Sequence, residues 1–116
     1  MKRRELLGLF FTATAVLPAQ ADTTRPQLLE FWASWCGTCK NMESTMQAIK
    51  SEWGKQIDIR VIDVDDPKNE PLIQKYKAFG TAIFVIVDAT GKEAFRTSGL
   101  VPKQILTAQL QKVTRA

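Results

Sequence analysis

The chain has 116 residues, 24% of them charged, a formal net charge of +4 and no histidine. Without imidazole, Ser-His and Cys-His hydrolytic sites and histidine-ligated metal centres are excluded. An apolar fraction of 45% in so short a chain leaves one small domain with a modest core.

The first residues, MKRRE, precede an apolar stretch of 12 residues, Leu6 to Leu17 (LLGLFFTATAVL), then Pro18 and Ala19-Gln20-Ala21. A basic start, an apolar middle and a small-x-small end predict a cleavable export signal over residues 1–21, with the exported domain at 22–116. The apolar stretch is shorter than the roughly 20 residues a membrane-spanning helix needs, so no span is expected after cleavage. Arg3-Arg4 ahead of Glu5-Leu6-Leu7 also resembles a twin-arginine signal, and general secretion stays equally open. Without Lys2, Arg3, Arg4 and Glu5, 13 basic and 11 acidic residues remain, a net charge of +2. No basic block points to nucleic acid or an anionic membrane.

Gln27 to Ala33 (QLLEFWA), bounded by Pro26, reads as a buried strand. Met42, Met46, Ile49 and Trp53 recur at spacings of four, three and four, predicting one helix from about Cys36 to Trp53, closed by Gly54. Ile57 to Val64 reads as a second strand, and Pro67 opens a helix through Tyr76 with Leu72, Ile73 and Tyr76 on one side. Ile83 to Val87 (IFVIV), apolar throughout, is a third and central strand. A turn at Asp88-Ala-Thr-Gly91 returns the chain as a fourth strand, Glu93 to Ser98. Pro102 starts a last helix carrying Ile105, Leu106, Leu110 and Val113. The order βαβαββα predicts an α/β fold with a four-stranded mixed sheet flanked by helices.

Both cysteines fall in FWASWCGTCKNM, Phe31 to Met42, where the first strand hands over to a helix. Cys36 is expected at the helix N-terminus, where free N–H groups and the macrodipole favour a thiolate. Cys39, one turn on, faces the same way and can attack a mixed disulfide on Cys36. Three other uses compete. A staple closing so short a ring contributes only about 2 kcal/mol, against about 3 for a loop of fifteen residues. A zinc site needs about four ligands and would have to borrow carboxylates or a second chain. Two inert buried thiols are the third.

Glu-Phe-Trp-Ala-Ser-Trp-Cys-Gly-Thr-Cys-Lys resembles the active-site segment of the thioredoxin family. The likeness extends through IRVIDVDD, the FGTAIFVIVDATG hairpin and Gly99 before the last helix. It implies a thioredoxin fold in its minimal βαβαββα form, without the family's extra N-terminal strand and helix. It implies thiol–disulfide exchange through Cys36, with Cys39 resolving and no cofactor beyond a redox-active Cys36–Cys39 disulfide. Glu30 stands where the family often has a buried acid that takes the proton of the resolving cysteine. Its carboxyl, set in an apolar strand, is expected to titrate above the usual range. Trp35, Gly37, Thr38, Thr81 and Ala82 are the expected substrate-contacting residues, with Trp32 packed beneath the loop.

Two positions depart from the family pattern. Ala82 occupies the place of the family's cis-proline, and because a cis bond before a non-proline costs about 3 kcal/mol or more, Thr81–Ala82 is expected to be trans unless packing holds it. Val61 takes the approximate place of a buried lysine near the acid. The family's proline helps align substrate backbone, so Ala82→Pro is expected to raise the rate of disulfide reduction in a matched assay, and equal or slower turnover would count against this.

The sequence thus predicts an exported, periplasmic thiol–disulfide oxidoreductase of a Gram-negative bacterium, acting as a reductant of client-protein disulfides. The direction rests on Gly37-Thr38, which offers no cation to the thiolate as the histidine of strong oxidants does. Its electrons would come from a membrane thiol-reductant donor, and a monomer is expected. An oxidase or isomerase, and a client-binding or metallochaperone module, are the alternatives.

Overall fold

The computed structural model describes residues 25–115. The expected export signal lies outside the described residues. Among these, four strands form one sheet in the order β2-β1-β3-β4. They are β1 (Gln27–Trp32), β2 (Asp58–Asp63), β3 (Ile83–Val87) and β4 (Glu93–Ser98). β1 pairs in parallel with β2 and antiparallel with β3, and β3 pairs antiparallel with β4. The mixed sheet expected from the element order is therefore present. No described helix is long and apolar enough to cross a membrane.

The helices cover both faces, and strand alternation decides what each face buries. Leu28 of β1 with Phe84 and Ile86 of β3 joins Met42, Met46 and Ile49, and Leu106, Leu110 and Val113 of the C-terminal helix. Leu29 and Phe31 of β1, with Val85 and Val87 of β3, meet Ile73, Tyr76 and Ala78 on the opposite face. Glu30 and Trp32 share the first face, that of Leu28, because they lie two and four residues further along β1. β1 and β3 are central and apolar. β2 is an edge strand, with Val61 59% exposed.

The expected single helix from Cys36 to Trp53 is two: α1 (Gly37–Asn41) and α2 (Glu43–Trp53). Met42 sits between them at φ −90°, ψ −5°. Its N–H is shared between the carbonyls of Thr38 (3.0 Å) and Cys39 (3.2 Å), and its own carbonyl accepts from Met46 N–H at 2.9 Å. The hydrogen-bond ladder bends there without breaking, so the Met42, Met46, Ile49 stripe stays buried. Neither glycine nor proline marks the bend, which is why periodicity alone ran through it.

The helix expected from Pro67 opens instead as a short 3-10 turn, Pro67–Asn69, capped by the Asp66 carboxylate on Lys68 N–H, before α3 (Glu70–Tyr76). The second proline, Pro71, falls in the first turn of α3, where its missing N–H costs nothing. The last helix, α4, spans Lys103–Arg115. Leu106, Leu110 and Val113 form the buried stripe of α4, and Ile105 beside them is 45% exposed.

The β3–β4 turn closes on Asp88, whose Oδ1 accepts from Thr90 N–H (2.9 Å), Thr90 Oγ1 (2.6 Å) and Lys92 N–H (3.0 Å). Gly91 has φ 91°, a left-handed conformation that a side chain would disfavour.

Thr81–Ala82 is cis, against the trans bond expected from the missing proline. Packing is the exception that applies: Ala82 is 1% exposed in the core layer that holds both cysteines, and its carbonyl accepts from Gly99 N–H at 3.0 Å.

Candidate active site

The strand directions place the site. The C-terminal ends of β1 and β2, the start of antiparallel β3 and the end of β4 all reach one edge of the sheet. Cys36 and Cys39 leave β1 there, Asp65 leaves β2, Thr81-Ala82 leads into β3, and Gly99-Leu100 follows β4. Four segments distant in sequence therefore converge without any long loop.

Cys36 and Cys39 form a disulfide, with Cα atoms 5.2 Å apart. Cys36 is the N-cap of α1, at φ −88°, ψ 109°, and its Sγ accepts from Cys39 N–H at 3.0 Å. Its N–H in turn donates to Ala33 O at 3.1 Å, which fixes the turn out of β1. Cys36 is 5% exposed and Cys39 is 0% exposed. Of the two sulfur-bearing residues, Cys36 alone has surface through which a partner can be reached. An N-capping sulfur gains most from that N–H when it carries charge, so this geometry stabilises a thiolate on Cys36 once the disulfide opens.

Trp35 is 66% exposed, and its indole Nε1 donates to Asp65 Oδ2 at 2.8 Å. This bond ties the loop after β1 to the loop after β2, alongside Val64 N–H to Trp32 O at 2.9 Å. Gly37 is exposed and Thr38 half-buried. Thr81 is half-buried, whereas the Ala82 methyl faces the core. Trp32, half-buried, packs on the core layer of the cysteines.

Phe79 and Leu100, 66% and 65% exposed, were not among the sequence-predicted residues. They adjoin Gly80-Thr81 and Gly99, so with Trp35 they supply apolar surface to the three loops around Cys36. Only the topology brings them together. In the sequence each is an isolated apolar residue. Asp65 was missed for a similar reason: IRVIDVDD offers three aspartates, and only the fold picks out the one that bonds Trp35.

Glu30 is 3% exposed, the one charged residue in the buried core among the described residues. Burial, with a smaller push from the negative charge of Glu43, raises its pKa from 4.5 to about 7. The rise expected for an acid in an apolar strand is present.

Residues 15–112 match the family model described as thioredoxin. The chain belongs to the thioredoxin family. This thioredoxin-family chain is 31% identical over 86 residues to the thioredoxin of Staphylococcus aureus, an alignment covering 74% of this chain and 80% of that one. It is 30% identical over 92 residues to the thiol:disulfide interchange protein TxlA of Synechococcus elongatus, covering 79% of this chain and 48% of that protein. The chain spans about half the length of the TxlA proteins it matches. Among solved structures, the germline-specific thioredoxin Deadhead of Drosophila melanogaster superposes with a TM-score of 0.66 at 28% identity, covering 82% of this chain and 86% of that one. The fold implied by the WCGTC segment is thus a thioredoxin fold.

Proposed function

We propose that this protein is a thiol–disulfide oxidoreductase that reduces disulfides in client proteins of an oxidising compartment, the periplasm, to which it is exported. The observation that carries the reading is the Cys36–Cys39 pair at an N-cap, with the Cys36 sulfur facing a backbone N–H and Cys36 the less buried residue of the two. Its likeness to proteins named for thiol:disulfide interchange supports it.

In the reduced protein the Cys36 thiolate attacks one sulfur of a client disulfide. A Cys36–client S–S bond forms, the client S–S bond breaks, and the departing client sulfur takes a proton from solvent. Cys39 then gives its proton to the Glu30 carboxylate and attacks Cys36 Sγ. The Cys36–Cys39 bond forms, the mixed disulfide breaks, and the second client sulfur leaves with the electron pair and is protonated. Two electrons have passed from the dithiol to the client. Trp35, Phe79 and Leu100 give an unfolded or extended client an apolar landing surface around the sulfur. The Thr81–Ala82 segment lies alongside for its backbone. A membrane thiol donor restores the dithiol, and the protein works as a monomer.

The direction of exchange is decided by the equilibrium potential against glutathione. Gly37 and Thr38 carry no charge to favour the thiolate, so a value near the about −270 mV of thioredoxin is expected. A value near about −120 mV would make the protein an oxidant. Tight stoichiometric zinc or copper with negligible disulfide reduction would make it a dithiol carrier instead.

A further inference from the structure

The layer between α2 and the sheet is not closed. A cleft of about 400 Å³ runs between them, lined by Glu30 and Trp32 of β1, Ile59 and Val61 of β2, and Glu43, Met46, Gln47 and Lys50 of α2. Its existence follows from side-chain size and register. Val61 is paired with Glu30 on the edge strand, is 59% exposed, and lines the cleft beside it with a short side chain. On α2, residues 43, 46, 47 and 50 recur at helical spacing, so one face of that helix forms the opposite wall.

Glu30 therefore belongs to two places at once. Its face of the sheet is the one that packs against Cys36 and Cys39, and its side chain also borders a cleft that water can enter. The charged groups on that cleft are few. α2 contributes Glu43 and Lys50, about two turns apart and so roughly 10 Å from each other along the helix axis. β2 contributes Ile59 and Val61, and β3 sets Phe84 beside Glu30. On the core side stand the two cysteines. Among these groups the Glu43 carboxylate acts on Glu30 by its charge, adding to the upward push of burial.

We propose that this cleft is the route by which Glu30 exchanges its proton with solvent, and that Glu43 on its wall is a positioning residue that governs when Glu30 is charged. The proton taken from Cys39 during resolution leaves Glu30 for water in the cleft, and the nearby Glu43 carboxylate makes the neutral form of Glu30 the favoured one until that release. Glu43 touches neither client nor sulfur. It acts through Glu30 alone, and the inference rests on Glu30 being the proton acceptor for Cys39.

The test uses the full chain with Glu43→Gln and Glu43→Lys, both at an exposed position in the first turn of α2. The Glu30 carboxyl titration is followed by carbon NMR, and the pH profile of disulfide reduction is recorded alongside. Removing the negative charge is expected to move the Glu30 titration to lower pH, and reversing it to move it further in the same direction. With more Glu30 ionised, resolution at pH 6 should be about threefold faster in Glu43→Gln and faster again in Glu43→Lys. Filling the cleft from the edge strand with Val61→Phe should slow resolution while the Glu43 carboxylate is kept. A merely structural role for Glu43 would change the unfolding midpoint and leave the Glu30 titration in place, and that result overturns the proposal. Failure of the underlying reading looks different: Glu30→Gln would leave the pH profile of reduction unchanged although the Glu43 variants still shift the Glu30 titration.

Discussion

Cys36→Ser is expected to lower client-disulfide reduction by at least about three orders of magnitude, equivalent to about 4 kcal/mol of barrier, leaving only the rate of the small-molecule dithiol in the assay. A serine hydroxyl at the N-cap keeps the hydrogen bond from Cys39 N–H, so helix α1 stays capped. What it lacks is a group that ionises near neutral pH and can exchange with a disulfide sulfur. Cys39→Ser is expected to fail at a different point. Cys36 is the less buried of the two and can still attack, but nothing resolves the product, so the protein accumulates as a mixed disulfide with its client. Intact-mass measurement after mixing with a disulfide client distinguishes the two: a stable adduct for Cys39→Ser and none for Cys36→Ser. The reverse pattern would mean that the buried sulfur is the nucleophile, and the assigned roles would fall. Misfolding is not expected to confuse the comparison, because a ring this short contributes only about 2 kcal/mol to stability. Unfolding midpoints of the reduced proteins check that.

The pattern of apolar residues was enough to read the four strands in order, because each obeys one rule. β3 is apolar throughout since both its faces are covered, and β2 becomes mixed since it lies at an edge. The turn at Asp88 to Gly91 was legible from residues that favour that backbone. Other features had no local signal. The bend at Met42 uses a residue with ordinary helical tendencies, and its near-helical backbone angles leave the apolar stripe in register. Ile105 stands one residue off the Leu106, Leu110, Val113 stripe of α4, and is 45% exposed. At the site, the two cysteines stood out by residue type and spacing, whereas Glu30 was picked out through the resemblance to the family and its place in an apolar strand. Phe79, Leu100 and Asp65 gain meaning from what lies across the sheet edge. The cleft is a matter of what is missing above Glu30, and no residue spells it out. The bond at Ala82 shows the limit from the other side: a general preference for trans was sound for an isolated peptide and gave way to the buried segment around it.

The stability of the oxidised protein is expected to fall as pH rises from about 4.5 to about 7, and Glu30→Gln is expected to remove that slope. In the unfolded chain Glu30 releases its proton near the ordinary value of 4.5, whereas in the folded protein it holds it to about 7. Below that window both states are protonated and the residue contributes no pH dependence. Within it the folded state binds more protons, so raising the pH favours unfolding, by up to about 1.4 kcal/mol per pH unit. Above about 7 the loss is complete. Because the cleft admits solvent, the total is expected nearer about 2 kcal/mol than the full value that the shift alone would imply. Glutamine has nearly the same shape and no charge at any pH. The variant should therefore match the parent at pH 4.5 and exceed it by about 2 kcal/mol at pH 8. Urea unfolding across pH 4.5 to 8 measures both curves.

The two carboxylates held below their ordinary range, Asp88 and Glu93, act in the opposite sense. Asp88 is held below its ordinary range chiefly by the Thr90 hydroxyl, with Lys92 and Thr90 N–H adding to it, and Glu93 is held below its range by Arg96. Groups with lowered values contribute stability that is present above their unfolded values and lost as pH falls through the folded ones, so their slope has the opposite sign and lies further into acid. Parallel curves for parent and Glu30→Gln would show that the carboxyl ionises as freely in the folded protein as in the unfolded chain, and would remove the proton acceptor from the proposed resolution step. The expected divergence carries its own cost: the variant that is more stable at pH 8 has nothing to take the Cys39 proton, so its mixed disulfide should resolve more slowly than the parent's at that same pH.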